Sequence, residues 1–281
     1  MPENRKPDFL NRGMEAWRLR RSRPSRPCSR PWLDCGALLG AVIIAAMGGV
    51  TATAGAQGSG NGFLFQAPSG SVTLSGGYAR ASASGDLFSF ATDQLTLNRS
   101  DFSGPLVGLD VALRIAPRFD VVIGAAYSAT STPSSYRKYV DQNNAEIRQT
   151  TNFSRLPIML SVKAYLTPPG RTVGRFAWVP SRFATYVGAG GGAMLYRFDQ
   201  KGDFVDYQDS NSVFTGEFTS SRWAPAAQGF VGADFSLSPH IALTGEAKYI
   251  WARGSLDQSF SGFDRIDLSG FTTTLGLTLR F

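Results

Sequence analysis

Residues 271–281 read FTTTLGLTLRF, and this stretch decides how the rest of the chain is understood. Phe271, Thr273, Leu275, Leu277, Leu279 and Phe281 fall on one side of an extended backbone. Thr272, Thr274, Gly276, Thr278 and Arg280 fall on the other. A period of two sustained over this length marks a β-strand with one apolar and one polar face. A soluble sheet would turn the apolar face into a core. A strand of about 9–11 residues is also what a tilted crossing of a bilayer requires.

The same alternation recurs upstream. Val107 to Ile115, Phe119 to Tyr127, Leu156 to Leu166 and Ile241 to Trp251 repeat it, each with an apolar series set against small or polar residues. Less regular segments at 71–80, 183–197 and 224–237 bring the count of expected strands to eight. In the segment 183–197, Gly188 and Gly190 to Gly192 blur the two faces; glycines inside a strand mark bending or close approach of a neighbour.

Connections alternate in length. Residues 81–104, 129–152, 198–222 and 254–268 are polar and turn-rich and read as long loops, whereas Ala116-Pro117-Arg118 and Ser238-Pro239-His240 read as tight turns. The segment 167–181 (TPPGRTVGRFAWVPS) breaks this pattern, because it falls where a short turn is due. Aromatics gather at strand ends on the apolar face. Tyr78, Tyr127, Trp223, Trp251 and Phe271 suit an outer interface, and Phe119, Phe183, Phe235 and Phe281 an inner one. Apolar faces outward, two aromatic girdles and alternating loop lengths together argue for an all-β fold. The expected fold is an eight-stranded antiparallel up-and-down transmembrane β-barrel, with extracellular loops and periplasmic turns, and the expected place is the outer membrane of a Gram-negative bacterium.

The charge distribution fits that reading. The net charge of +7 is concentrated upstream: residues 1–56 hold nine of the 28 Lys and Arg and four of the 21 Asp and Glu. The remaining 19 basic and 17 acidic residues nearly balance, which removes the main support for a nucleic-acid partner. An arginine-rich region, the apolar run Gly36 to Val50 and Ala54-Gly55-Ala56 read as a secretory signal peptide over 1–56, followed by a Gly-rich linker at 57–68 and the barrel at 69–281. Both cysteines, Cys28 and Cys35, fall in the leader, so no thiolate metal site is expected beyond it.

Eight strands enclose a bore just wide enough for side chains to fill. The inward series supplies Asp110, Asp120, Asp234 and Glu246 against Arg114, Lys163, Lys248 and Arg280. Four acids and four bases can neutralise one another, with Lys248 expected to compensate Glu246 or Asp234. A salt-bridged plug is the plainer reading and a narrow ion path the sharper one. In the loops, Phe88, Phe90, Phe102, Phe204, Tyr207, Phe214, Phe218, Phe260 and Phe263 either form a docking surface or pack on each other, extending the wall above the membrane. The second is favoured, since large loops need a core to stay ordered.

The final run Leu275-x-Leu277-x-Leu279-x-Phe281 resembles the aromatic-ended signal by which outer-membrane barrels are recognised for assembly. Residues 238–249 resemble the penultimate hairpin of small barrels of the OmpW, OmpX and OmpA membrane-domain type, and Pro157, Lys163 and Tyr165 are similar to the fourth strand of that group. The resemblance implies that Leu277, Leu279 and Phe281 are read by the barrel-assembly machinery, and that the chain is a monomer among outer-membrane lipid and lipopolysaccharide. It implies little about activity, because the superfamily contains anchors, adhesins, porin-like channels and a few enzymes. No cofactor is expected. The sole histidine, His240, falls in a periplasmic turn, far from any lipopolysaccharide substrate, and no HExxH, CxxC, P-loop or GxSxG pattern occurs. The expected role is therefore non-enzymatic, structural or at the cell surface. An OmpW-like conduit for small apolar solutes is the alternative, and a lipid-modifying enzyme a distant third.

Overall fold

The computed structural model describes residues 62–140, 144–206, 212–260 and 262–281. The expected leader with Cys28 and Cys35, the first part of the linker and Tyr207 lie outside these residues. Eight long strands form a closed antiparallel cylinder: β1 (Gly70–Ala81), β2 (Gly104–Ala116), β3 (Phe119–Val140), β4 (Glu146–Tyr165), β7 (Phe183–Asp206), β8 (Ser212–Ser236), β9 (Ile241–Gly254) and β11 (Gly270–Arg280). Each pairs with its chain neighbour, and β1 pairs with β11 from Ser71↔Arg280 to Ala81↔Gly270, which closes the ring. Closure removes free sheet edges, the condition for carrying strand backbone through hydrocarbon.

Within the ring, the apolar series of the last strand faces outward. Leu275, Leu277 and Leu279 are exposed, while Thr274, Thr278 and Arg280 are buried. Leu74, Leu113, Ile123, Leu160, Val162 and Val231 continue an exposed apolar belt around the wall. Trp223, Trp251, Tyr78 and Phe271 border it on one side, and Phe119, Phe183, Phe235 and Phe281 on the other, all of them exposed. A belt of this kind is stable only against lipid, so the chain is a membrane-spanning barrel.

Two of the expected loops are strand. Their described residues 129–140, 146–152, 198–206 and 212–222 extend the hairpins β3–β4 and β7–β8. The physical reason is a reversal of pattern. Above the outer girdle the outward positions become polar: Ser131 and Ser135 on β3, Arg148, Thr150 and Asn152 on β4, Lys201 on β7 and Glu217 on β8. The inward positions become apolar, with Tyr136, Ile147, Phe153, Phe198, Phe204 and Phe218 buried. One strand therefore reads apolar-out in lipid and apolar-in above it. With β7 and β8 at 24 and 25 residues against the roughly 9–11 of a crossing, the side of the wall made by β3, β4, β7 and β8 stands well clear of the membrane.

The connection from β1 to β2 folds back into this upper barrel as helix α1 (Asp86–Gln94) and a turn of 3-10 helix at Arg99–Phe102. Gly85, at φ 137, turns the chain into α1, and Asp86 sits in its first turn, where the helix dipole favours an anion. Asn98 and Asp101 form a reciprocal capping box on the 3-10 turn. At the opposite end, residues 167–181 form a small hairpin, β5 (Gly170–Val173) and β6 (Ala177–Pro180), and Leu64 bridges to Trp178 beside it. The remaining pair, β10 (Ile266–Asp267), extends β9 at the upper rim.

Candidate functional site

The interior has two layers of opposite chemistry. The upper layer is an aromatic core that fills the mouth. Phe88 of α1 packs edge-on against Phe102 at 4.8 Å, Phe153 at 5.7 Å and Phe198 at 6.0 Å between ring centres. Phe198 meets Phe260 from the β9–β11 connection at 5.6 Å, and Phe204 meets Phe218 at 4.8 Å. Such edge contacts add about 0.5–1.5 kcal/mol each beyond burial. Phe90 pairs with Phe263 on the flank, and Phe214 lies over Phe204. Eight of the nine loop aromatics singled out in the sequence thus pack against other rings.

Polar contacts pin the cap to the wall. The Arg137 guanidinium donates to the carbonyls of Leu95 and Leu97, just after α1. Asp257 pairs with Arg222 and accepts from the Ser221 N–H at 3.0 Å, which ties the β9–β11 connection to β8. Burial opposes ionisation of Asp257, but the Arg222 bond and the Ser221 N–H outweigh it and hold the carboxyl below its ordinary value. Tyr136, buried beside Leu95, has its phenol pushed up to about 12 by that burial.

The lower layer holds all eight charges read from the sequence, each pointing inward. Arg114 Nε donates to Asp120 at 2.8 Å across the tight β2–β3 turn. Lys163 Nζ lies 3.4 Å from Asp234, which also accepts from Tyr165 at 3.3 Å and Thr244 at 2.8 Å. Lys248 reaches Glu246 at 2.7 Å and Asp110 at 3.7 Å. It does not pair with Asp234, because that carboxylate lies nearer β4 and takes Lys163. Arg280 stands apart from the carboxylates and donates to Ser236 Oγ at 2.8 Å. Hydroxyls continue the chain of bonds from Thr244 to Thr278 and on to Thr73, so every wall strand contributes a polar side chain to the lumen.

Tyr186 was not legible as part of this set. Its hydroxyl donates to Glu246 at 3.1 Å, and its ring lies 3.6 Å from Lys163 Nζ. The glycines that obscured the parity of β7 make room for its neighbours. A Cβ on Gly188 would stand 2.1 Å from the Phe230 ring, and one on Gly192 2.1 Å from the Ile158 carbonyl. Gly190 and Gly192 therefore mark close approach of β4. Among the described residues, two adjoining cavities of about 30 Å³ each are both lined by Asp110, Gln228 and Lys248. At roughly 10–15 Å³ for one water, each has room for two or three. Among the described residues no group of three or more metal-ligating side chains converges, and His240 is exposed in its turn.

The chain resembles solved structures of small outer-membrane barrels. It is 12% identical to the Neisserial surface protein A, covering 76% of this chain and 97% of that one with a TM-score of 0.41. OprG from Pseudomonas aeruginosa is 14% identical, with coverage of 78% and 99% and a TM-score of 0.44. The E. coli outer membrane protein W is 17% identical, with coverage of 78% and 100% and a TM-score of 0.39. No family model and no curated protein matches the sequence.

Proposed function

We propose that this chain is a closed outer-membrane barrel with a structural or surface-interaction role and no catalytic chemistry. The aromatic cap carries this reading: α1 and its partners fill the mouth, and ion pairs bridge the lumen beneath it. On this reading the barrel is closed to ions. What it presents to the outside is a tall, rigid wall of polar side chains, suited to contact with lipopolysaccharide and with surfaces beyond it. Leu277, Leu279 and Phe281 line the lipid side of the closing strand, where the assembly machinery would read them, and closure of the ring by β1 and β11 suits a monomer.

The alternative, passage of small apolar solutes, draws on the apolar lining of the mouth. The rings are packed against each other, so that route needs α1 to leave its seat. Conductance and solute uptake of the refolded protein in a bilayer separate the two. The closed reading expects neither, for the wild type. Uptake of an apolar solute by the wild type, with no ionic current, would establish the conduit instead.

A further inference from the structure

The hairpin β5–β6 is out of place in a barrel whose other turns at that end are tight, and its surroundings share an unusual composition. Arg118, Arg171, Arg175 and Arg182 are all exposed there. None of them forms an ion pair among the described residues. No Asp or Glu occurs in the described segments that make up this end, residues 62–69, 116–119, 166–183 and 237–241. Beside the arginines stand Phe176, 70% exposed, with Val173 and Phe65 about half exposed.

The hairpin is built, not loose. Trp178 is buried over Gly170, where a Cβ would stand 2.2 Å from the indole, and Leu64 donates to and accepts from the Trp178 backbone at 2.8 and 2.7 Å. Gly174, at φ +65, makes the turn that presents Arg175 and Phe176 at the tip. The apolar belt runs into its stem, because Leu166 continues the outward series of Val162 and Ala164 and is 59% exposed. The patch is thus continuous with the lipid-facing wall.

We propose that this end of the barrel docks on the anionic phospholipid headgroups of the membrane leaflet it adjoins. The arginines of the hairpin take the phosphates, and Phe176 and Val173 enter the headgroup boundary. Unpaired cations beside exposed aromatics, with no acid among them, are the composition of a membrane-surface element. Arginine suits the task because its planar fork binds phosphate oxygens in pairs. Docking would fix the tilt of the barrel and its depth in the inner leaflet. The inference rests on the outer-membrane placement.

Hydrogen exchange of amides 170–179 tests it, on protein refolded into nanodiscs of phosphatidylcholine alone or mixed with phosphatidylglycerol. Exchange should be slower on the mixed lipid, and the difference should vanish in Arg171→Gln/Arg175→Gln and at high salt. Each arginine near an anionic surface contributes about fivefold in affinity, so removing two weakens docking about thirtyfold. Equal exchange on the two lipids, or a difference that survives in the double variant, overturns the proposal. So does slowing by inorganic phosphate on phosphatidylcholine, or slowing that appears only when peptidoglycan fragments are added. Protection of β7 and β8 in the same samples reports barrel insertion separately, so a failure of the fold is not mistaken for a failure of docking.

Discussion

Lys163 Nζ stands 3.4 Å from Asp234 Oδ2 and 3.6 Å from the centre of the Tyr186 ring, so one buried cation joins β4 to β7 and β8 across the lumen. Both partners of the ion pair are almost fully enclosed. Desolvation of two such charges is offset only when geometry is good and further bonds satisfy them. Here Tyr165 and Thr244 complete the shell of Asp234, and two aromatic faces meet the ammonium.

Lys163→Met should therefore destabilise the barrel, leaving Asp234 with neutral donors alone. Breaking a buried pair costs about 3–5 kcal/mol, and the nearby water-sized cavities reduce that toward the lower figure. Lys163→Met/Asp234→Leu should recover most of the loss, since no charge is then stranded. Urea unfolding in detergent gives the comparison. If the single variant unfolds at the wild-type midpoint, or the double variant is worse than the single, the plug does not depend on this pair.

Tyr136 gives the cap a pH limit. Its phenol is held neutral by burial, with a folded value of about 12 against an ordinary 10. Above pH 10 the unfolded chain loses this proton first, so stability contributed by Tyr136 is complete below that point and falls as pH rises toward 12. The loss by then approaches about 2–3 kcal/mol for a shift of this size. Amide exchange of α1 followed from pH 9 to 12 should accelerate in the wild type more steeply than in Tyr136→Phe. Parallel profiles would remove Tyr136 as the cause. Lysines also titrate in this range, which is why the Phe variant is the reference.

Where the sequence was legible, a single rule sufficed. Alternation named the wall strands, their outward face and the eight inward charges, because within lipid the apolar side is always outside. The same rule concealed the upper barrel. At Arg148, Thr150 and Asn152 the outward side is polar because water faces it, and at Ile147 and Phe153 the inward side is apolar because α1 fills the mouth. Nothing local announces that change of solvent, so polar extended segments read as loops. Tyr186 was hidden for a different reason: its neighbours Gly188 and Gly190 to Gly192 carry no side chain to show parity. The pairing of Lys248 with Asp110 was out of reach because it crosses the lumen between strands that are not neighbours, and alternation gives a face without a distance.

Insertion itself is tested at two adjacent residues of the closing strand. Leu277 is 54% exposed on the lipid side, between Leu74 and Leu243 on the flanking strands. Thr278 is buried in the lumen, bonded to Thr73 at 2.8 Å and Thr244 at 2.6 Å. An arginine on the lipid face near mid-bilayer costs roughly 2–4 kcal/mol, a penalty that a lumen-facing change escapes. Leu277→Arg should thus lower the yield of folding into lipid vesicles sharply, while Thr278→Ser, which keeps the hydroxyl, should fold as the wild type does. Leu277→Ala controls for lost packing and should fall between them, close to the wild type, because lipid chains refill the space. If Leu277→Ala is as damaging as Leu277→Arg, then Leu277 packs against protein and not lipid, and the outward face of β11 has been assigned to the wrong solvent.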